Sequence, residues 1–256
     1  MAVAGDTQMR LPVFYTPPEC VVDESLVLTG AEAHHAQNVL RLKKGEPLMV
    51  VDGMGNACRC EITRYNAKKA ECRIFSRIRN FGEPAVKVTL GCGLSVGTKF
   101  DDIIERCTEL GVSRLIPLLT EKSKVRIDDD RKAEAKLNRW RKVALASMKQ
   151  TGRALIPDIW SPVKLERLFE RYEDPGLRLM FDPDGGTLNL DNLKIPSGTG
   201  HVLLLVGPES GFSGDEVRLA QESGAQIITL GQRILRAENA APTALALVMQ
   251  LMGEFN

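Results

Sequence analysis

The chain has 256 residues, with 34 Lys+Arg against 33 Asp+Glu, 43% hydrophobic residues and 6 cysteines. A formal net charge of +1 excludes a polybasic tail protein, and the apolar content excludes a disordered one. The longest apolar runs, such as Val202–Val206, are strand-sized against the ~20 residues of a membrane span, and the first residues carry no signal-peptide pattern.

At this length one large or two modest domains are expected, burying about 70–75% of the unfolded surface without help from a metal or disulfide. The cysteines (Cys20, Cys58, Cys60, Cys72, Cys92, Cys107) include no C-x-x-C pair. The three histidines, His34, His35 and His201, offer no zinc spacing. Six reduced thiols packed as small hydrophobes in the cytoplasm, with no metal, are the expectation.

In chain order, a short helix is predicted at Ala31–Leu42, stopped by Lys43-Lys44-Gly45. Strands are predicted at Pro47–Asp52, Ala57–Thr63 and Lys69–Phe75, with Cys58 and Cys60 on one face. Strands this short and regularly punctuated suggest a small barrel, closed by a linker at Gly82–Pro84. From residue 85 strands and helices alternate. Val86–Gly91 reads as a strand, and Phe100, Ile103, Ile104, Cys107 and Leu110 trace a helix that Gly111 ends. A strand at Leu115–Leu119 precedes a long helix, Asp130–Gln150, striped by Leu137, Trp140, Val143, Ala144 and Met148. A short helix near Val163–Tyr172 and strands at Leu177–Phe181, Val202–Val206 and Ile227–Leu230 follow. The sum is an α/β domain with a largely parallel sheet. Ala240–Met252 is a helix apolar on every side, which calls for burial, in part against a second subunit.

Charge is uneven along this order. Residues 31–80 carry a net +5 and residues 121–153 a net +6, whereas residues 201–256 carry −3. Two basic regions fit a protein that meets a polyanion with part of its surface.

Two glycine-containing loops follow the last two strands. Gly207–Phe212 leads into Ser213-Gly-Asp-Glu216, an S-x-x-E capping box that starts a helix. Gly231–Glu238 leads into the apolar helix. Ligands of open α/β sheets bind beyond the carboxyl ends of strands, where both loops fall. Neither G-x-G-x-x-G after a strand nor a P-loop occurs, and Gly211-Phe-Ser213-Gly-Asp215 lacks the last glycine of a hydrolase elbow.

LLLVGPESGFSGDEV followed by LGQRILRAENA resembles the SPOUT-class RNA methyltransferases, and more closely the family that methylates a uridine N3 in small-subunit (16S) ribosomal RNA. That family shows G-P-E-G-G-F-S-x-x-E and then L-G-x-R-I-L-R-T-E-T-A. The match continues through His34-His35 with Val39-Leu40-Arg41, Glu109–Val112 with Pro117, and Gln150, Arg153 and Pro157. The resemblance implies a PUA-like RNA-binding barrel over residues 1–82 and a SPOUT domain over 83–256 whose last part forms a trefoil knot. It also implies S-adenosylmethionine as cofactor, ribosomal RNA or the small subunit as partner, and a homodimer. The alternative is a non-catalytic RNA-binding protein that kept the fold, or a methyltransferase of another RNA.

Methyl transfer to N3 spreads negative charge onto the uracil carbonyls, which a guanidinium can stabilise. Arg236 is the first candidate for that role, and a structural or phosphate-binding Arg is the other reading. Glu209 and Glu238 could orient groups or accept a proton, and Glu238 could equally be an acid placed at a helix N-terminus. Leu205, Gly207, Leu230, Gly231, Ile234 and Leu235 are expected to bind cofactor through backbone groups and apolar side chains. Arg10, Arg41, Lys43, Lys99 and Arg153 are expected to contact RNA phosphates. Ser210, Ala237 and Asn239 depart from the family's Gly, Thr and Thr, and Ser210 stands where φ > 0 is expected.

Overall fold

The computed structural model describes residues 11–123, 125, 129–172, 176–184, 188 and 190–255. It divides into two compact units, one running to Glu83 and taking in Lys149–Leu155, the other made of Pro84–Met148 and Ile156–Asn256. Among the described residues no helix is long and apolar enough to cross a membrane.

The first unit is a six-stranded sheet built from β1 (Val13–Tyr15), β2 (Val21–Val22), β3 (Ser25–Thr29), β4 (Pro47–Val51), β5 (Asn56–Asn66) and β6 (Lys69–Arg79), in the order β1-β4-β5-β6-β3-β2. Among the described residues of this unit only β1 and β4 pair in parallel. Alternate residues face one core, among them Phe14, Leu26, Leu28, Leu48, Cys58, Cys60, Ile62 and Cys72, so period-2 patterning explains the burial. Burial pushes the Cys72 thiol up to about 12, which leaves it an inert hydrophobe. Among the described residues β1 and β2 do not pair, so the sheet is not a closed ring. The three strands before Ala31 are two to five residues long, too short to carry a readable period.

The helix predicted over Ala31–Leu42 is shorter. It comprises α1 (Gly30–His34) and one wide turn over His35–Val39. Arg41 takes φ 54°, a left-handed conformation that ends the helix before Leu42.

The second unit is a wholly parallel sheet. It contains β7 (Lys87–Gly93), α2 (Lys99–Glu109), β8 (Arg114–Leu119), α3 (Asp130–Thr151, whose last residues count with the first unit), β9 (Asp158–Ile159) and β10 (Val163–Lys164). After these come α4 (Leu165–Arg171), β11 (Leu177–Phe181), β12 (His201–Val206), α5 (Gly214–Glu222), β13 (Gln226–Ile228) and α6 (Ala237–Leu251). The strand order is β10-β8-β7-β12-β11-β13, with β9 also on β8. Residues alternate between two apolar cores, one on each face, as a parallel sheet covered on both sides demands.

α6 runs through Pro242, which has no N–H to give the carbonyl of Glu238 four residues earlier. Arg106 of α2 supplies the missing donor, its Nη1 lying 3.0 Å from that oxygen and 3.0 Å from Asn239 Oδ1. One guanidinium thus repairs the proline break and uses the side chain of Asn239, where the resembled family has Thr. Ala241, Ala244, Leu245, Val248 and Met249 are fully buried, whereas Leu247 and Leu251 stand 37% and 44% exposed. The outward face of the helix is therefore the one that carries Leu247.

Candidate active site

A cleft opens at the carboxyl ends of β11, β12 and β13, with three walls. Val206, Gly207, Pro208, Glu209 and Gly211 form the first, and Leu230, Gly231, Arg233, Ile234 and Leu235 the second, with Ala237 and Ala240 behind them. Phe181, Asp182 and Pro183 form the third, which the sequence reading missed. The position of Asp182 directly after a strand is the signal that could have found it, because the strand-end rule applies to β11 as much as to β12.

The first wall is held close by a glycine on a neighbouring strand. A Cβ on Gly93, the last residue of β7, would lie 2.4 Å from the nitrogen of Pro208, so only glycine lets that loop pack against the strand end. The left-handed position in the loop is Gly211, at φ 69°, and not Ser210, which corrects the expectation of strain there. The Ser210 hydroxyl instead donates to the carbonyl of Lys122 at 2.9 Å. Lys122 Nζ donates to the carbonyl of Phe212 at 2.7 Å, and the Glu121 amide donates to Glu216 Oε1 at 2.9 Å. The predicted capping box is formed: the Glu216 amide donates to Ser213 Oγ at 3.2 Å and the Ser213 amide to Glu216 Oε2 at 2.8 Å.

Gly207, Leu230, Gly231, Ile234 and Leu235, expected at the cofactor site, all line the cleft. Leu205 does not. Adjacent strand residues face opposite sides of a sheet, so Leu205 packs into the far core with Ile116 and Leu118 while Val206 reaches the cleft. Ile234 stands 81% exposed, a large apolar side chain on the second wall of the cleft.

Glu209 ion-pairs with Lys99 at the mouth of the cleft. That contact lowers the Glu209 carboxyl and raises the Lys99 ammonium, each relative to its ordinary value. A carboxylate held below its ordinary range is a poor proton acceptor, so Glu209 is suited to orienting groups. Lys99, expected at RNA phosphates, is engaged here instead. Glu238 presents a buried Oε2 that has no hydrogen-bond partner among the described residues. Arg236 is exposed in the residue before α6, extended at φ −67° and ψ 151°, and no hydrogen bond or ion pair holds its guanidinium among the described residues.

The RNA candidates divide sharply. Arg10 lies outside the described residues. Arg41 and Lys43 are exposed in the first unit. Arg153 is not available to RNA: its side chain is 5% exposed and bonded to Glu83, itself 8% exposed, with Nη2 2.5 Å and Nε 3.1 Å from Glu83 Oε2. The second carboxylate oxygen of Glu83 accepts from the amides of Ala154 and Leu155 at 3.0 and 2.9 Å. Sequence spacing alone does not separate a buried Arg from a surface one.

Residues 82–249 match the RNA methyltransferase domain family, and residues 28–75 match the RNA methyltransferase PUA domain family. A PUA unit joined to a parallel-sheet unit with a strand-end cleft defines an RNA methyltransferase. The ribosomal RNA small subunit methyltransferase E of Synechocystis is 31% identical, over 92% of this chain and 76% of its own length. That of Bacillus subtilis is 30% identical over 86% of this chain and 88% of its own. The crystal structure of the Neisseria gonorrhoeae ribosomal RNA small subunit methyltransferase E bound to S-adenosyl methionine superposes with a TM-score of 0.82 at 28% identity, covering 94% of this chain and 98% of that one. A Legionella pneumophila methyltransferase with bound SAM gives a TM-score of 0.80 at 30% identity, covering 94% of this chain and 98% of that one. The chain belongs to the ribosomal RNA small subunit methyltransferase E family.

Proposed function

We propose that this protein methylates N3 of a uridine in 16S ribosomal RNA, using S-adenosylmethionine, in the cytoplasm and as a homodimer. The observation that carries the reading is the cleft itself, at the carboxyl ends of three parallel strands and largely apolar in its walls. Arg236 and Glu238 flank its lining residue Ala237 in the chain without lining it themselves, and Glu238 has a buried Oε2 without a partner among the described residues. Its residues fit the cofactor. Val206, Leu230, Ile234 and Leu235 offer apolar faces to an adenine ring, and the backbone of Gly207 and Gly231 offers donors and acceptors at close approach. When bound, S-adenosylmethionine supplies an electrophilic methyl group.

The chain's own residues do the rest. Glu238, one residue past the cleft-lining Ala237, accepts a proton or hydrogen bond at Oε2, which relieves an otherwise costly buried acceptor. Arg236, uncommitted two residues earlier in the chain, is the group that stabilises the charge spread onto the uracil carbonyls when N3 loses its proton. Glu209, held by Lys99, orients groups at the mouth of the cleft. The departures of Ser210 and Asn239 do not argue against activity, since each side chain has a structural partner. A trefoil knot through the last strands is part of this reading, as the resembled family implies.

The homodimer rests on Leu247, Leu251 and Phe255, apolar side chains left exposed near the end of the chain. Leu247→Asp is expected to give a folded monomer, whereas a monomer mass for the unmodified protein in light scattering contradicts the dimer. Calorimetry with S-adenosylmethionine tests the cofactor. A saturable heat of binding is expected, and its absence would return the protein to a purely RNA-binding role.

A further inference from the structure

At the edge of the parallel sheet opposite β13, β9 and β10 cover β8 with two residues each. A groove runs there between α3 and α4, floored by apolar side chains such as Leu137 and Val163. Arg141 from α3 and Lys164, Arg167 and Arg171 from β10 and α4 line it. Asp158, the carboxylate in this lining, is already spent: it accepts from Arg114 Nε at 2.9 Å and from Trp160 Nε1 at 3.0 Å. Arg167 pairs with Glu170 at 2.6 Å. Arg141, Lys164 and Arg171 are exposed, and none makes a hydrogen bond or ion pair among the described residues. The basic stretch over residues 121–153 therefore contributes Arg141 to the same groove as a second basic segment, Lys164–Arg171, which begins 23 residues after Arg141.

Uncommitted cations above an apolar floor suit a flexible polyanion, which can lay phosphates on the cations and ribose or base surface on the floor. β10 lies three strand spacings from β12, roughly 14 Å at ~4.8 Å per spacing, and both end at the carboxyl side of the sheet. A short stretch of extended single strand bridges that distance to the cleft. We propose that this groove binds the phosphate backbone of the RNA segment adjoining the target nucleotide, which rests on the functional reading above and extends it from a site to a track. Its contacts position the strand and carry no sequence information.

The test is the triple variant Arg141→Gln, Lys164→Gln and Arg171→Gln, all surface changes that leave both cores intact. Fluorescence anisotropy with a single-stranded 16S rRNA fragment across a salt series reads the effect. At ~0.7 counterion per phosphate contact, the log–log slope is expected to flatten by about 2 units. The same change is expected with an unrelated oligonucleotide of equal length, while calorimetric binding of S-adenosylmethionine and the melting temperature stay at the wild-type values. An unchanged slope, in a protein whose unmodified form binds the fragment and methylates rRNA, overturns the groove alone. Weaker binding to the assembled small subunit with unchanged binding to naked RNA also overturns it, and assigns the groove to a ribosomal protein. An unmodified protein that binds no RNA at all overturns both the groove and the functional reading.

Discussion

The surroundings of Arg153 and of Arg236 show two uses of the same side chain. Around Arg153 every group is answered: Glu83 takes the guanidinium and two backbone amides, and both side chains are out of water. Around Arg236 little is answered. Ile234 is exposed, Glu238 Oε2 is buried without a partner among the described residues, and the guanidinium itself is uncommitted. The first region is complete as it stands, whereas the second is the one we propose is completed by a bound ligand. Both arginines are equally prominent in the sequence, so the number of partners, and not residue type, separates the architectural arginine from the one proposed for chemistry.

The largest effect is expected at the completed region. Glu83→Ala leaves a buried guanidinium without its carboxylate, which costs about 3–5 kcal/mol. In a chain this size that is a fall in Tm on the order of 10 °C, readable by calorimetry. A loss under about 1 kcal/mol would mean that water reaches Arg153, and the contrast with Arg236 would collapse.

At the incomplete region the cost should fall on rate and not on stability. Arg236→Ala is expected to lower turnover by at least ~10²-fold, or about 2.7 kcal/mol of barrier, with cofactor affinity within about tenfold of the unmodified protein. Its melting temperature should not move. Near-normal turnover in steady-state assays would take Arg236 out of the chemistry.

A smaller effect sharpens the comparison in the first unit, where Arg41 and Lys43 are exposed. Neutralising both is expected to flatten the salt dependence of RNA binding by roughly one to two units and to leave stability unchanged. No change in slope would leave the first unit without phosphate contacts at these positions.

Much of this was legible in the sequence, for local reasons. The runs at Leu177–Phe181 and Val202–Val206, the Ser213–Glu216 capping box and the stripe of α3 are patterns within one element, and each appears where its period placed it. Both loops of the cleft were legible for the same reason. What was not legible depends on pairs far apart in the chain. Lys149–Leu155 joins the first unit because Glu83 reaches the amides of Ala154 and Leu155. The repair of Pro242 by Arg106 spans more than a hundred residues, and no spacing announces it. That the Leu205 side chain turns away from the cleft was not legible for a simpler reason, since in a sheet covered on both faces an apolar run does not reveal which side each residue takes.

The central claim is that the cleft between β11, β12 and β13 carries methyl transfer to a uridine N3. The most direct measurement incubates the purified protein and 16S rRNA, free and in small subunits, with isotopically labelled S-adenosylmethionine, then digests the RNA to nucleosides for mass spectrometry. Label in N3-methyluridine, lost with Arg236→Ala, is the expected result. Label in any other nucleoside, or none in either substrate while the cofactor still binds, would contradict it.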